Sequence, residues 1–291
     1  MSRTVAAVPL GRYAELLDVL AGLTWPSLLR VRAGDPGSHR SSRLGTSPEF
    51  TEYRAYRPGD DLRRLDWKLY GRTDRPFLRI ADDHAALRTT LVLDASASMR
   101  FPLEGHGKWQ HACAIALGLT SVAIADGDAV GVVVATEDGD RVIPPRRRRD
   151  VLNDEAALFE TIEPAGSVAV DGAVSRFGAA ARLVVITDFL GDAETVLPAL
   201  RVAAAAGTEI FAVHVVAERE LVPDERSFLA VDAEQPSLRR GMSASNRGAY
   251  LEAFAAWRAR VAREVIHMSG RYVQTSTTDP VRDVVRRIVL G

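Results

Sequence analysis

Apolar residues fall along this chain in two rhythms. Short runs rich in β-branched residues, Thr89–Leu93, Ala129–Ala135, Leu183–Ile186 and Glu209–Val216, read as strands buried on both faces. Longer stretches carry apolar residues at helical spacing: Lys108–Ala125, Asp150–Ile162, Ala193–Ala206 with Gly207 as its stop, Asn246–Gly270 and Pro280–Leu290. Strand and helix alternating in this way predict an α/β fold, a doubly wound, mostly parallel sheet. Tyr272–Thr275 adds a last strand, and Arg141–Ile143 an edge strand ahead of Pro144-Pro145.

The segment before this α/β portion is patterned differently. Residues 10–31 space Leu16, Leu17, Val19, Leu20 and Leu23 as a helix would, with an end near Trp25-Pro26. Arg32–Ser47, with Gly34, Pro36, Gly37 and Gly45, reads as loop. From Glu49 to Lys68, acids and arginines interleave with aromatics. Pro58-Gly59 marks a turn there, and Asp60 or Asp61 an N-cap. Such a density of charge predicts an ion-pair network that locks the segment against the sheet. Arg75–Ile80 reads as an edge strand. The domain reading is an N-terminal extension over residues 1–84, packed on a main domain of residues 85–291, with a polar, hairpin-bearing insertion at about 220–245.

Composition changes this picture little but excludes several functions. Hydrophobic residues at 47% and charged residues at 26% are ordinary for a globular protein with a large core. The 37 Lys and Arg nearly cancel the 38 Asp and Glu, so no overall field draws nucleic acid or anionic lipid. Arg146–Arg149 is the local exception and reads as a solvated basic loop after Pro144-Pro145. A single cysteine, Cys113, rules out an intramolecular disulfide and a thiolate zinc cluster, and its apolar neighbours make it a core residue. No apolar run reaches the ~20 residues of a membrane span, and no secretory core follows the N-terminus, so a cytoplasmic setting is expected.

The chemistry concentrates where strands end. Leu91-Val92-Leu93 runs into Asp94-Ala95-Ser96-Ala97-Ser98, and the apolar run 183–186 ends in Thr187-Asp188. In an open parallel sheet these carboxyl ends share one rim, where ligands bind. Adjacent strands lie ~5 Å apart, so Asp94 and Asp188 could share a cation, with Ser96 and Ser98 adding neutral oxygens. All-oxygen donors favour magnesium, manganese or calcium over zinc. The same residues would also serve as a capping loop, with Asp94 and the serines bonding backbone N–H groups. His84, His106 and His111 have no paired acid at helical spacing and receive no role.

The Asp-x-Ser-x-Ser loop resembles the metal-ion-dependent adhesion site of von Willebrand factor type A domains. Asp94, Ser96 and Ser98 match its first loop and Asp188 its later aspartate. The family also uses a threonine ahead of the helix that includes Ala173–Phe177. There this chain reads Gly166–Gly172, with Ser167 as the candidate donor and Val170 as the alternative occupant, which supplies none. Joined to Tyr56–Asp61 and Asp66-Trp67-Lys68, the pattern resembles family 58 of the domains of unknown function, a bacterial and archaeal group with a von Willebrand A-like domain. That resemblance covers residues from about 45 to the terminal helix.

The resemblance implies a non-enzymatic protein-binding or adaptor module acting with a MoxR-type AAA+ ATPase in protein assembly or maturation. It further implies a magnesium or manganese ion at Asp94, Ser96, Ser98, Asp188 and Ser167 that recognises an acidic group on the partner. The alternative is a metal-dependent phosphatase of haloacid dehalogenase type with Asp94 as nucleophile. Against it, the second acid expected two residues later is Ser96. A serine hydrolase using Ser96 or Ser98 lacks the Gly-x-Ser-x-Gly elbow.

Overall fold

The computed structural model describes residues 10–27, 36–45, 52–56, 65–85, 87–103, 107–178, 180–191, 193–224, 228–231, 233, 234, 237 and 239–291. They divide into two compact units, one of residues 10–25 with 88–291 and one within residues 26–87. In the first, a 3-10 turn at Leu10–Tyr13 leads into helix α1 (Ala14–Leu20), shorter than the helix expected over residues 10–31.

The second unit holds β1 (Pro36–Gly45), β2 (Glu52–Ala55), helix α2 (Trp67–Thr73) and β3 (Phe77–Ala85), its strands antiparallel in the order β1-β3-β2. Two expectations are corrected here. The Gly- and Ser-rich stretch read as loop contains the ten-residue strand β1, because an antiparallel ladder is built from backbone groups, and its register against β3 shifts twice. The strand expected at an edge, β3, is the central one, because Pro76 lies just ahead of it and removes no donor from the ladder. The turn at Pro58-Gly59, the caps at Asp60 or Asp61 and most of the expected charge network lie outside the described residues. Within them, Asp66 caps α2 by accepting from the Lys68 and Leu69 N–H groups, both at 2.9 Å.

The first unit is the doubly wound sheet. Its strands are β4 (Arg88–Asp94), β5 (Ala129–Ala135), β6 (Arg141–Arg146), β7 (Arg182–Thr187), β8 (Glu209–Val216) and, beyond a β9–β10 hairpin (Phe228–Val231, Arg239–Met242), β11 (Arg271–Ser276). They lie in the order β11-β8-β7-β4-β5-β6, all parallel except β6, which pairs antiparallel with β5 and places both prolines on an edge.

Alternation along the strands builds two hydrophobic layers. Leu91 and Leu93, with Val130, Val132 and Val134, face α1, α3 (Lys108–Ala125), α4 (Asp150–Thr161) and α9 (Val281–Leu290). Val92, Val133, Leu183 and Val185 face α5 (Val170–Phe177), α6 (Ala193–Ala205) and α8 (Ala244–His267). Helix α3 is buried on nearly every side, so its sequence is apolar all round and carries no stripe. Among the described residues, no helix is long and apolar enough to cross a membrane.

Candidate functional site

Counted within the sheet, the strand order is 3-2-1-4-5-6 read from the β6 edge, and the winding direction reverses between β4 and β7. Ligands of doubly wound folds bind in the crevice at such a switch point, outside the strand carboxyl ends. Asp94 ends β4, and Thr187-Asp188 ends and follows β7, so the two acidic loops read from the sequence meet at that place.

Single hydrogen bonds fix the rim. The Ser96 N–H donates to Asp94 Oδ1 at 2.7 Å, and the Thr187 hydroxyl donates to Asp94 Oδ2 at 2.7 Å. Thr187 Oγ1 in turn accepts from the Phe189 N–H at 3.0 Å. Phe189 adopts the left-handed conformation (φ 55°), which turns the chain sharply while its ring stays buried beside His214. The Ser96 and Ser98 hydroxyls face each other at 3.0 Å. A further loop joins them, the Ala97 N–H donating to the Gly166 carbonyl and the Ala165 N–H to that of Ala95.

Asp188 makes a different set of contacts. Its Oδ1 accepts from the Leu190 N–H at 2.9 Å, and its Oδ2 lies 2.6 Å from Lys108 Nζ. The same ammonium lies 2.9 Å from Oε1 of Glu220 on helix α7 (Glu218–Leu221), whose Oε2 accepts from the Ala217 N–H. Neither Lys108 nor Glu220 was a candidate on sequence. Lys108 reads there as the first residue of a helix, and Glu220 as part of a polar insertion.

The electrostatics follow from burial. Burial and then the neighbouring Asp188 charge push the Asp94 carboxyl up to about 6, against the hydrogen bonds from Ser96 and Thr187. Burial pulls the Lys108 ammonium down, but Asp188 and Glu220 more than offset it and leave it raised. Burial also raises the Glu220 carboxyl, with Lys108 opposing. His214, beside Thr187 in the sheet, is lowered to about 3 by burial, and its Nδ1 lies 2.7 Å from the Tyr272 hydroxyl. His111 Nε2 lies 3.0 Å from Thr275 Oγ1. Neither ring is placed to activate a serine.

Tested donor by donor, these residues do not fit a divalent ion. Asp94, Ser96, Ser98 and Asp188 are gathered and buried, but Asp188 is already neutralised by the Lys108 ammonium. Ser167 sits in the adjoining loop and is exposed, and Val170 is packed in the core and supplies no oxygen. Among the described residues, no group of three or more His, Cys, Asp or Glu is placed to hold a metal. An ion about 4 Å from the Lys108 ammonium would also meet a repulsion of about 4 kcal/mol per unit charge at an effective dielectric of ~20.

Comparison with known proteins gives the family. Residues 52–260 match the family described as "Protein of unknown function DUF58". Uncharacterized protein Rv1480 of Mycobacterium tuberculosis (strain ATCC 25618 / H37Rv) is 32% identical over 260 residues, 86% of this chain and 81% of that protein. Among solved structures, the conserved hypothetical protein BatB from Bacteroides thetaiotaomicron is similar at TM-score 0.47 and 16% identity, covering 70% of this chain and 98% of that one. The SpRpn10 VWA domain is similar at TM-score 0.42 and 10% identity, covering 71% and 97%. The chain belongs to the DUF58 family, and its main sheet is mostly parallel.

Proposed function

We propose that this protein is a non-enzymatic binding or adaptor module that contacts a protein partner at the switch-point rim. The observation that carries this reading is the rim's surface. The segments that follow the rim elements carry exposed apolar side chains, Phe101 and Leu103 after the Asp94 loop and Val222 after α7, the last two 79% and 71% exposed. Phe101 and Glu220 both contact Lys108, so these side chains flank one ammonium. Apolar side chains beside a crevice favour a protein surface over a small polar substrate. The partner we propose is a MoxR-type AAA+ ATPase, met in the cytoplasm during protein assembly or maturation. The resemblance of the chain to its family supports that identity.

The test is capture of a purified MoxR-type ATPase by the full chain, with Leu103→Asp and Val222→Asp as the altered surfaces. Binding should fall at least tenfold in the double variant while its circular dichroism stays unchanged. Equal capture by both proteins would remove the rim as the contact. Phosphatase turnover lost with Asp94→Ala would restore the enzymatic alternative, which the engaged Asp94 oxygens do not favour.

A further inference from the structure

At the end of the sheet where these acids lie, one side chain already joins acids that follow neighbouring strands. The Lys108 ammonium joins Asp188, just after β7, to Glu220, on the helix after β8, at 2.6 and 2.9 Å. Its own position is fixed as well. The Lys108 N–H donates to the Phe101 carbonyl at 3.0 Å, and the Phe101 ring centroid lies 6.0 Å from Nζ. The partners are held in turn, Asp188 by the Leu190 N–H and Glu220 by the Ala217 N–H. The Lys108 and Asp188 side chains are 0% and 1% exposed, so water does little to screen the pair.

We infer that Lys108 is the resident cation of this site and that the rim is metal-independent. The ammonium is paired with Asp188, one of the acids that the adhesion-site pattern would give to its ion. Two of its three hydrogens are committed to Asp188 and Glu220, and being fully buried it has no exposed surface to offer a partner carboxylate, unlike a metal ion with an open coordination position. A partner is therefore held by the apolar side chains and hydrogen bonds around the rim, without a shared ion. Asp188 and Glu220 share this single ammonium, so its loss leaves buried negative charge that attracts a cation. The inference goes beyond the binding reading and stands without it, since metal uptake and partner capture are separate measurements.

The experiment is manganese titration followed by electron paramagnetic resonance, with thermal unfolding alongside, on the full-length chain. Wild type should leave the free manganese signal undiminished, and its midpoint should not move with magnesium, manganese or EDTA. Lys108→Gln should unfold several degrees lower, take up manganese stoichiometrically and recover part of the lost midpoint. Adding Asp188→Asn to it should abolish that uptake. Lys108→Arg, which keeps the charge, should stay blind to the metal. Manganese uptake by wild type that disappears in Asp94→Ala would overturn the inference without any Lys108 variant. A folded Lys108→Gln that binds no manganese would overturn it equally.

Discussion

Thr187 shows how far the rim rests on single side chains. Its hydroxyl donates to Asp94 and accepts from Phe189, tying two loops through one oxygen. Thr187→Val keeps the shape and removes both bonds, leaving a buried carboxylate oxygen and a buried N–H unpaired. At about 1–3 kcal/mol for each of the two unsatisfied groups, urea unfolding should show a loss of about 2–6 kcal/mol, while Thr187→Ser stays near wild type. The Asp94 carboxyl should rise further, since one of the bonds holding it down is gone. At this scale the sequence disclosed the acids and serines, because a strand running into Asp-x-Ser-x-Ser is a local pattern. Thr187 was in view, but only as the residue ahead of Asp188 at a strand end. Lys108 and Glu220 were not legible, because their pairing spans 112 positions and exists only once the sheet has formed.

Helix α4 packs against α3 through a buried acid, Glu155, whose carboxyl burial pushes up from 4.5 to about 8. Thr120 and Cys113 from α3 and Tyr13 at the N-terminal turn interact with it. Burial, then the Glu155 charge, raises the Cys113 thiol well above its usual range. Because its folded value lies above its unfolded one, Glu155 keeps a proton in the native state that the unfolded chain has lost. Stability therefore falls as pH rises from about 4.5 to 8, by up to roughly 1.4 kcal/mol per unit. Glu155→Gln carries no ionisable group, so its thermal midpoint should decline much less between pH 5 and 8. Parallel curves for the two proteins would mean that Glu155 is not the group responsible. Element positions were largely readable: α3, β5 and β8 have the residue ranges expected from their patterning. They are packed on all sides and so must be continuously apolar. The strand β1 was not readable, since a Gly- and Ser-rich segment pairs through its backbone and leaves no periodic trace.

At the scale of the whole molecule, the main unit is discontinuous in sequence, leaving at Trp25 and returning at Arg88. Both points are anchored on the rim of the sheet opposite Asp94. Trp25 is fully buried; its N–H donates to Asp126 and its carbonyl accepts from Arg182 at 3.0 Å. The Arg182 guanidinium lies 4.1 Å from the Trp25 ring centroid and pairs with Glu209 and Asp128, while the carbonyl of Arg88 accepts from the neighbouring Ala181 N–H. The chain thus leaves and re-enters beside the start of β7, and the intervening residues close a loop whose ends the main unit already holds. Replacing residues 26–87 with a short Gly-Ser linker should leave a protein that unfolds cooperatively, because loop-closure entropy changes only slowly with length. Trp25→Ala in that shortened protein should cost about 3–5 kcal/mol in urea unfolding, since it opens a cavity and uncovers Arg182. A shortened protein without a cooperative transition would show that the unit of residues 26–87 is required for the sheet to fold. If the shortened protein instead folds and retains Trp25, the anchor at the lower rim belongs to the sheet itself.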